Sequence, residues 1–363
     1  MNMYDVSVIM YVKDSQKYLE ESLNTIIHQS LESMEIIFLY EKSCDASLNV
    51  LKAFSKKYPN MQIKEVDTFS TKEILESIKM ADGEYLLFVD SFNIIKEDIL
   101  RKFHNKIKED QSDVLLFGLN DSVEDKVIKR ISQLVGNNAF APSKIREYLL
   151  DTQQTLYNKI FRKSYLVKEL DLYDMFVQTP DNISILSLLN SQKISLMDES
   201  LYETDNPSKI VVDDRSFAEY VDSQNIFLNL LNKGEYSDYR INGINRKFSD
   251  IIDLYGEVPF RYKKASYDTL RNYCLNYLKQ KENNLELFTD TNRKSFEQII
   301  ISESVEEYEL LKKVNEEKKS VNFMRRYEKI ISVEHKKIKN FNDNLRNSRS
   351  WKLTGIFRLR NKL

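Results

Sequence analysis

The sequence has little glycine: 7 of its 363 residues, with only Gly83 among the first hundred. The turns that cradle phosphates in GxGxxG and P-loop proteins each need several glycines within one loop. Neither motif is present. Any nucleotide that binds to this chain is therefore held by a different kind of loop.

Cysteine and histidine are also scarce. The 2 cysteines, Cys44 and Cys274, lie far apart in the sequence, so we expect neither a disulfide framework nor a CxxC metal site. The 3 histidines are widely spaced, and the HExxH and GxSxG motifs are absent. These absences argue against a zinc protease and against a serine hydrolase.

Long apolar runs are missing too, since no run approaches the ~18 residues that a membrane span requires. The opening residues MNMYDVSVIMY lack the basic segment of a secretory signal. A formal net charge of -2 gives no general attraction to nucleic acid. Because 42% of the residues are hydrophobic, the chain can build a substantial core. We expect a soluble, cytoplasmic protein of one or two domains.

What the first hundred residues do contain is a regular alternation of two patterns. Short runs rich in β-branched and aliphatic residues predict strands at 6–12, 34–39, 61–66 and 85–89. The segments between these strands have apolar residues at helical spacing. Four such alternations predict a mainly parallel sheet covered by helices, an α/β fold.

The α/β pattern weakens near residue 210, where helical segments rich in Lys, Glu, Asn and Tyr begin. We predict three parts: an α/β domain at 1–215, a helical region at 216–345 and a basic amphipathic tail at 346–363.

Apolar residues recur every seven positions in the helical region, at Met324, Ile331, Ile338 and Leu345. They predict a long amphipathic helix that packs on the first domain or contacts a protein partner or second copy. The tail has six basic residues, no acidic ones, and apolar residues including Trp351. This mixture favours an anionic membrane surface or a partner, with docking on the protein itself as the alternative. Nucleic acid is not expected.

Several segments resemble, in order and at similar spacing, the motifs of bacterial family 2 glycosyltransferases of the GT-A fold. They are VSVIMYV, YLEESLNTIIHQSL, MEIIFLYEKSCDAS, ADGEYLLFVDSFN and YNKIFRKSYL. The final SRSWKLTGIFR resembles the tail of many surface-polysaccharide transferases. The resemblance covers most of the first 210 residues plus the tail.

The resemblance implies transfer of a sugar, with inversion, from a nucleotide-diphosphate donor to a hydroxyl group. The acceptor would be a glycan, a lipid-linked glycan or a glycoprotein in polysaccharide biosynthesis at the inner face of the cell membrane. Because several functional positions depart from the family pattern, a second hypothesis stays open. It is an inactive GT-A protein that serves as a partner or scaffold for active transferases. A third hypothesis, resting on the tail alone, is an adaptor at the membrane surface.

The first departures fall on the donor site. Where the family has Asp-Asp-Gly after its second strand, this chain has Tyr40, Glu41 and Lys42. Tyr40 is a candidate to stack on the base, and Lys42 to offset the diphosphate charge. Asp14 replaces a family asparagine and completes the predicted donor site with Asp90. The alternatives are a core position for Tyr40 and an ordinary loop position for Glu41.

The metal motif is the second departure, because Asp-Ser-Asp has become Asp90, Ser91 and Phe92. The family's Mn²⁺ or Mg²⁺ needs oxygen ligands, and Phe92 supplies none. Asp90 is predicted to hold the donor ribose and is at most one metal ligand. Its alternative is a carboxylate that only caps a loop.

Asp181 is the predicted catalytic base, because it stands where the family has an aspartate before a helix. The base takes the proton of the acceptor hydroxyl. An aspartate at a helix start is also a common N-cap, and the sequence alone leaves both roles open.

Overall fold

The structure is a computed structural model that describes residues 3–68, 70–119, 124–152, 155–172, 179–204, 212–232, 234–279 and 284–314. The chain forms two compact units, Met1–Arg293 and Lys294–Leu363. The described part of the second unit is helical except at 302–304. The predicted seven-residue repeat and the basic tail lie outside the described residues.

Nine strands form among the described residues of the first unit. They are β1 (Tyr4–Val12), β2 (Met34–Glu41), β3 (Met61–Val66), β4 (Gly83–Asp90), β5 (Ile94–Ile95), β6 (Val114–Gly118), β7 (Lys159–Arg162), β8 (Ile194–Ser200) and β9 (Tyr202–Thr204). Seven of them make one sheet in the order β3-β2-β1-β4-β7-β6-β8, and β5 pairs with β9.

The large sheet is mainly parallel. Strand β1 pairs in parallel with β2 and β4, β2 with β3, and β6 with β8. Only β7 runs antiparallel to its neighbours β4 and β6. The predicted α/β class with a mainly parallel sheet is confirmed.

Helices alternate with the strands and follow them in the chain. They are α1 (Gln16–Ile27), α2 (Ser47–Lys57), α3 (Thr71–Met80), α4 (Ile99–Asp110), α5 (Glu124–Val135), α6 (Arg146–Leu149), α7 (Lys163–Leu172), α8 (Pro180–Leu189), α9 (Asp214–Leu231), α10 (Arg240–Glu257), α11 (Lys263–Lys279) and α12 (Asp290–Ile301). Among the described residues, no helix is both long and apolar enough to cross a bilayer.

Both faces of the sheet are buried, which explains why its strands read as continuous apolar runs. Side chains alternate along β1, so Ile9 packs with Ile74 of α3 on one face. Val8 and Met10 pack with Leu23 of α1 on the other face. The two cores sandwich the sheet and fix the strand ends at which ligands bind in this class of fold.

Helices α9, α10 and α11 belong to the first compact unit. Leu231 of α9 lies in the same buried cluster as strand residues of the sheet. Helix α10 approaches α9 closely, because a Cβ atom at Gly243 would stand 2.1 Å from Leu231 Cδ1. The chain changes from α/β to helical structure near 215, but the compact unit continues to Arg293. The three-part division at 215 and 345 stays a prediction.

Candidate active site

The carboxyl ends of β1, β2 and β4 bring three polar side chains to one face of the sheet. Tyr11 pairs in register with Leu39 and with Asp90. Since side chains two positions apart on a strand share a face, Glu41 lies on the same face as Leu39. Tyr11, Glu41 and Asp90 therefore meet at the edge where α/β proteins bind their ligands.

Asp90 is partly buried at this edge. Its Oδ1 accepts a hydrogen bond of 2.7 Å from the backbone N–H of Ser91. Burial raises the pKa of the Asp90 carboxyl to about 7, against the opposing effect of the hydrogen bonds from Ser91. Hydrogen bonds donated by a ligand would therefore stabilise the ionised form of this carboxyl.

The surroundings of Asp90 do not fit a divalent cation. Hard cations take several oxygen ligands, and the side chain of Phe92 has none. In the part of the chain that the structure describes, no cluster of three or more His, Cys, Asp and Glu side chains could hold a metal ion.

Glu41 already has partners. The Tyr11 hydroxyl donates to Glu41 Oε2 at 2.9 Å, and the Lys13 ammonium pairs with the other carboxylate oxygen. Burial first, and then Glu41, raise the pKa of Tyr11 far above its usual value, so its hydroxyl stays protonated and donates. Glu41 therefore fixes the Tyr11 ring in the wall of the site.

The structure separates Tyr40 from the other predicted donor residues. Strand alternation places it on the opposite face, 5% exposed, in the core with α1. Its hydroxyl accepts a 3.0 Å hydrogen bond from the backbone N–H of Ser43. Tyr40 thus supports the loop after β2 from within the core instead of facing Asp90. Lys42, in that loop, is exposed.

Asp14 joins the loops that follow β1 and β2. Its Oδ1 accepts from the N–H of Cys44 at 3.0 Å, and its own N–H donates to Ser43 Oγ at 2.9 Å. Ser15 and Ser91 share a buried hydrogen bond of 2.6 Å between their hydroxyls. These bonds tie three loops of the strand edge together without the help of glycine.

Asp181 is the second residue of α8, and it is not the N-cap. Thr179 holds that position, and its side-chain oxygen accepts a 3.3 Å hydrogen bond from the N–H of Asn182. The capping role considered for Asp181 is therefore wrong. Asp181 is therefore not needed to cap the helix, and it lines two pockets.

The first pocket, which we call the strand-edge pocket, has a volume of about 200 Å³. It is lined by Ile9, Tyr11, Leu39, Ile74, Phe88, Val89, Thr155, Leu156, Tyr157, Pro180 and Asp181. Most of these side chains are apolar, including that of Ile74 on α3.

The second pocket, which we call the helix pocket, has a volume of about 440 Å³. It is lined by Thr155, Asp181, Tyr220, Arg246, Asp250, Asp253, Leu254 and Glu257. Thr155 and Asp181 line both pockets. A larger groove of about 620 Å³ lies along α1 and β5 and includes neither Asp90 nor Asp181.

Buried charges surround Asp181. Burial raises its pKa to about 6; Lys247 and Lys159 oppose this rise, and Asp250 adds to it. Sequence reasoning missed Lys247 and Asp250, because α10 lies outside the recognised motifs. One signal was present: Lys247 occupies the same apolar face of α10 as Ile244 and Ile251.

Comparison with known proteins agrees with this geometry. Residues 7–168 match the model of the family described as Glycosyl transferase family 2. The poly(ribitol-phosphate) beta-glucosyltransferase of Bacillus spizizenii is 36% identical over 116 residues, which are 31% of this chain and 18% of that protein. TarS of Staphylococcus aureus, a poly(ribitol-phosphate) beta-N-acetylglucosaminyltransferase, is 28% identical over 212 residues, 55% of this chain and 35% of that protein.

The cholesterol galactosyltransferase of Borreliella burgdorferi is 23% identical over 215 residues, 55% of this chain and 59% of that protein. This chain thus spans less than two thirds of the length of each of these relatives. The crystal structure of S. aureus TarS 1-349 in complex with UDP-GlcNAc superposes with a TM-score of 0.60 at 20% identity, covering 84% of this chain and 89% of that one. Residues 7–168 are thus similar to a family 2 glycosyltransferase domain, and the chain has the GT-A fold.

Proposed function

We propose that the protein is an inverting glycosyltransferase of cell-surface glycan assembly. It would transfer a sugar from a nucleoside diphosphate donor to a hydroxyl group of a glycan acceptor. The observation that carries this proposal is the place of Asp181, which lines both the strand-edge pocket and the helix pocket. A base in that position can meet a donor from one side and an acceptor from the other.

The donor would bind at the strand edge. The Asp90 carboxylate would accept hydrogen bonds from the ribose hydroxyls, and Tyr11, held by Glu41 at 2.9 Å, would form part of the wall. Lys42 is exposed in the adjoining loop and would offset charge on the leaving diphosphate, as cations do at other phosphate sites. Asp14 would keep that loop in place.

Asp181 would act as the general base. With a pKa of about 6, its carboxyl is largely ionised at neutral pH and close to the range that favours proton transfer. It would take the proton of the acceptor hydroxyl while that oxygen bonds to the anomeric carbon. The bond from this carbon to the diphosphate breaks, and its electron pair leaves with the diphosphate.

The helix pocket would hold the acceptor. Asp250, Asp253 and Glu257 offer carboxylates, which accept hydrogen bonds from sugar hydroxyls. The cation in the lining, Arg246, pairs with Asp250 through Nε at 2.9 Å. The negative lining favours an uncharged, hydroxyl-rich portion of the acceptor beside Asp181 over a phosphate group.

The inactive scaffold remains the competing proposal, favoured by Phe92 in place of a carboxylate. Cytoplasmic placement, contact of residues 346–363 with the membrane, and a protein partner or second copy bound through 216–345 stay predictions.

Thermal unfolding with a panel of nucleoside diphosphates separates the two proposals. A ligand that binds only the folded protein raises its stability with concentration. We expect one nucleoside diphosphate to raise the melting temperature, equally with Mn²⁺ and with a chelator, and the matching nucleoside to do less. No response to any nucleotide would overturn the enzyme proposal. A response that requires Mn²⁺ would overturn the metal-free donor site.

A further inference from the structure

Thr155 shares with Asp181 a place in the lining of both the strand-edge pocket and the helix pocket. It stands in the loop before β7 and is partly buried. The proposed reaction has so far given Thr155 no role. A substrate whose reacting atoms lie between the two pockets would meet both residues.

The backbone oxygen of Thr155 is already engaged by two donors of the protein. Lys159 Nζ donates to this oxygen at 2.8 Å, and Ser184 Oγ donates to it at 2.9 Å. A carbonyl oxygen has two lone pairs, so these bonds use its capacity to accept. Of the two oxygen atoms of Thr155, the hydroxyl is therefore the one that a ligand can use.

The same two bonds fix the place of Thr155 in the site. Ser184 lies three residues after Asp181 on α8, so the two side chains are neighbours on the helix. Lys159 is the first residue of β7 and is 0% exposed, and a buried ammonium group is costly unless its hydrogen bonds are made. Thr155 is thus tied both to the sheet and to the helix that carries Asp181.

The Thr155 hydroxyl is oriented by a bond that it accepts. Its Oγ1 accepts a hydrogen bond of 3.2 Å from the backbone N–H of Tyr157. A hydroxyl that accepts a hydrogen bond keeps its own hydrogen for donation. The oxygen atoms of a sugar accept such hydrogen bonds, so the side chain suits a sugar held between the two pockets.

We propose that Thr155 is a substrate-binding residue whose hydroxyl donates a hydrogen bond to the transferred sugar, and that Ser184 positions it beside Asp181. This inference rests on the proposed function. A nucleoside diphosphate alone would fill the strand edge, whereas the sugar attached to it would extend to Thr155 and Asp181. Thr155 would therefore distinguish a sugar nucleotide from the bare nucleotide.

Thr155→Val tests the contact, because valine has nearly the same shape and no hydroxyl. The net contribution of one hydrogen bond corresponds to a roughly 3- to 10-fold change in Kd. We expect a Kd weakened by this factor for the sugar nucleotide that the wild type binds, and an unchanged Kd for its nucleoside diphosphate. The probes are UDP, UDP-glucose, UDP-N-acetylglucosamine, UDP-galactose, GDP and GDP-mannose, and calorimetric titration measures each Kd.

The matched variants are Thr155→Ser, which keeps the hydroxyl, and Thr269→Val on α11, which lines neither pocket. We expect both to bind sugar nucleotides as the wild type does. An unchanged Kd for the sugar nucleotide in Thr155→Val would overturn the proposal. Equal weakening for nucleotide and sugar nucleotide would also overturn it, because it would show a general disturbance of the site. If Thr155→Val does not fold, Thr155→Ala replaces it, since alanine removes the same hydroxyl and adds no atom.

Ser184→Ala tests the positioning role. Loss of its bond to the Thr155 carbonyl should weaken binding of the sugar nucleotide and leave the Kd of the nucleoside diphosphate unchanged. Combined with Thr155→Val, it should cause no further loss, because residues that act through one contact are not additive. Fully additive losses would show that Ser184 acts on another part of the site and would overturn its role.

Failure of the proposed function gives a different result from failure of this contact. A wild type that binds no nucleotide would refute both. Selective loss of sugar-nucleotide binding in Thr155→Val, in a protein without turnover, would support the contact and refute the transferase activity alone. Full turnover and full sugar-nucleotide binding in Thr155→Val would overturn the contact and leave the proposed function standing.

Discussion

Asp90 and Asp181, the two carboxylates of the proposed active site, differ in their surroundings. Burial raises both pKa values, to about 7 and about 6. The further influences on Asp90 come from its chain neighbour Ser91. Asp181 has two lysines from distant parts of the chain to oppose the effect of burial. The ionised form of Asp90 depends on a ligand for its stabilisation, whereas lysines of the protein stabilise the ionised form of Asp181.

This difference matches the two roles proposed. When few groups of the free protein offset the charge of a donor-binding carboxylate, hydrogen bonds from ligand hydroxyls stabilise that charge most. A general base must be ionised before the acceptor arrives, so its compensation has to be built in. Surroundings, rather than residue type, distinguish the two aspartates.

The most severe test of the comparison is Asp181→Asn. Removing a general base costs ~10²–10⁴-fold in rate, and we expect kcat to fall within that range while nucleotide binding stays unchanged. Turnover and nucleotide-dependent thermal shift measure the two effects separately. Asp268→Asn, at an exposed position of α11, is the control. If Asp181→Asn keeps its turnover, Asp181 is not the general base.

A smaller effect is expected of Asp90→Asn on donor binding. Hydrogen bonds to a charged group contribute ~1.5–3 kcal/mol, which corresponds to a ~10–100-fold weaker Kd for the nucleoside diphosphate. Calorimetric titration measures this Kd, again with Asp268→Asn as control. An unchanged Kd would mean that the Asp90 carboxylate only caps its loop.

The same Asp90→Asn variant should be more heat-stable than the wild type at pH 8. The folded-state pKa of about 7 exceeds the ordinary value of 3.8, so ionisation of Asp90 costs stability as pH rises from about 4 through 7. The amide avoids this cost and keeps an oxygen for the Ser91 N–H. Melting temperatures at pH 5 and pH 8 should show the advantage shrinking towards pH 5. A variant less stable than wild type at pH 8 would contradict the assignment of Asp90 as an uncompensated carboxylate.

Thr179→Ala should give the smallest effect. Loss of an N-cap costs ~1 kcal/mol of stability, so the free energy of unfolding should fall by about that amount, as measured by denaturant titration. The pH at which Asp181 titrates should remain the same, because Thr179 caps the helix and carries no charge. A shifted Asp181 pKa would show that capping and base chemistry are coupled.

Local patterns in the sequence predicted much of the fold. The third strand, 61–66, and the preceding alternation of strands and helices agree with the structure, because two- and 3.6-residue periods are local properties. Helix α2 was less predictable: Ala46 occupies its N-cap position, while Asp45 accepts from Ser47 N–H at 2.9 Å. The residue whose side chain bonds to the first turn is not the residue at the N-cap position. Only the backbone geometry distinguishes the two.

The candidate site could be predicted from the sequence only for residues that stand on motifs, and their roles stay predictions. Asp90 and Asp181 were found from the resemblance, and strand alternation applied to β2 would have placed Tyr40 and Glu41 on opposite faces. The electrostatic influence of Lys247 on Asp181 was not predictable, since the two residues lie 66 positions apart in the sequence. A lysine on an apolar helix face signals an unusual environment but does not name the partner.

Gly243 sets the spacing between α9 and α10. It lies four residues, about 6 Å, before Lys247 on α10, where α9 is so close that a Cβ atom would stand 2.1 Å from Leu231 Cδ1. A single methyl group there would force Leu231 or α10 to move. The distance between these two helices of the core is thus set by a carbon atom that the sequence leaves out.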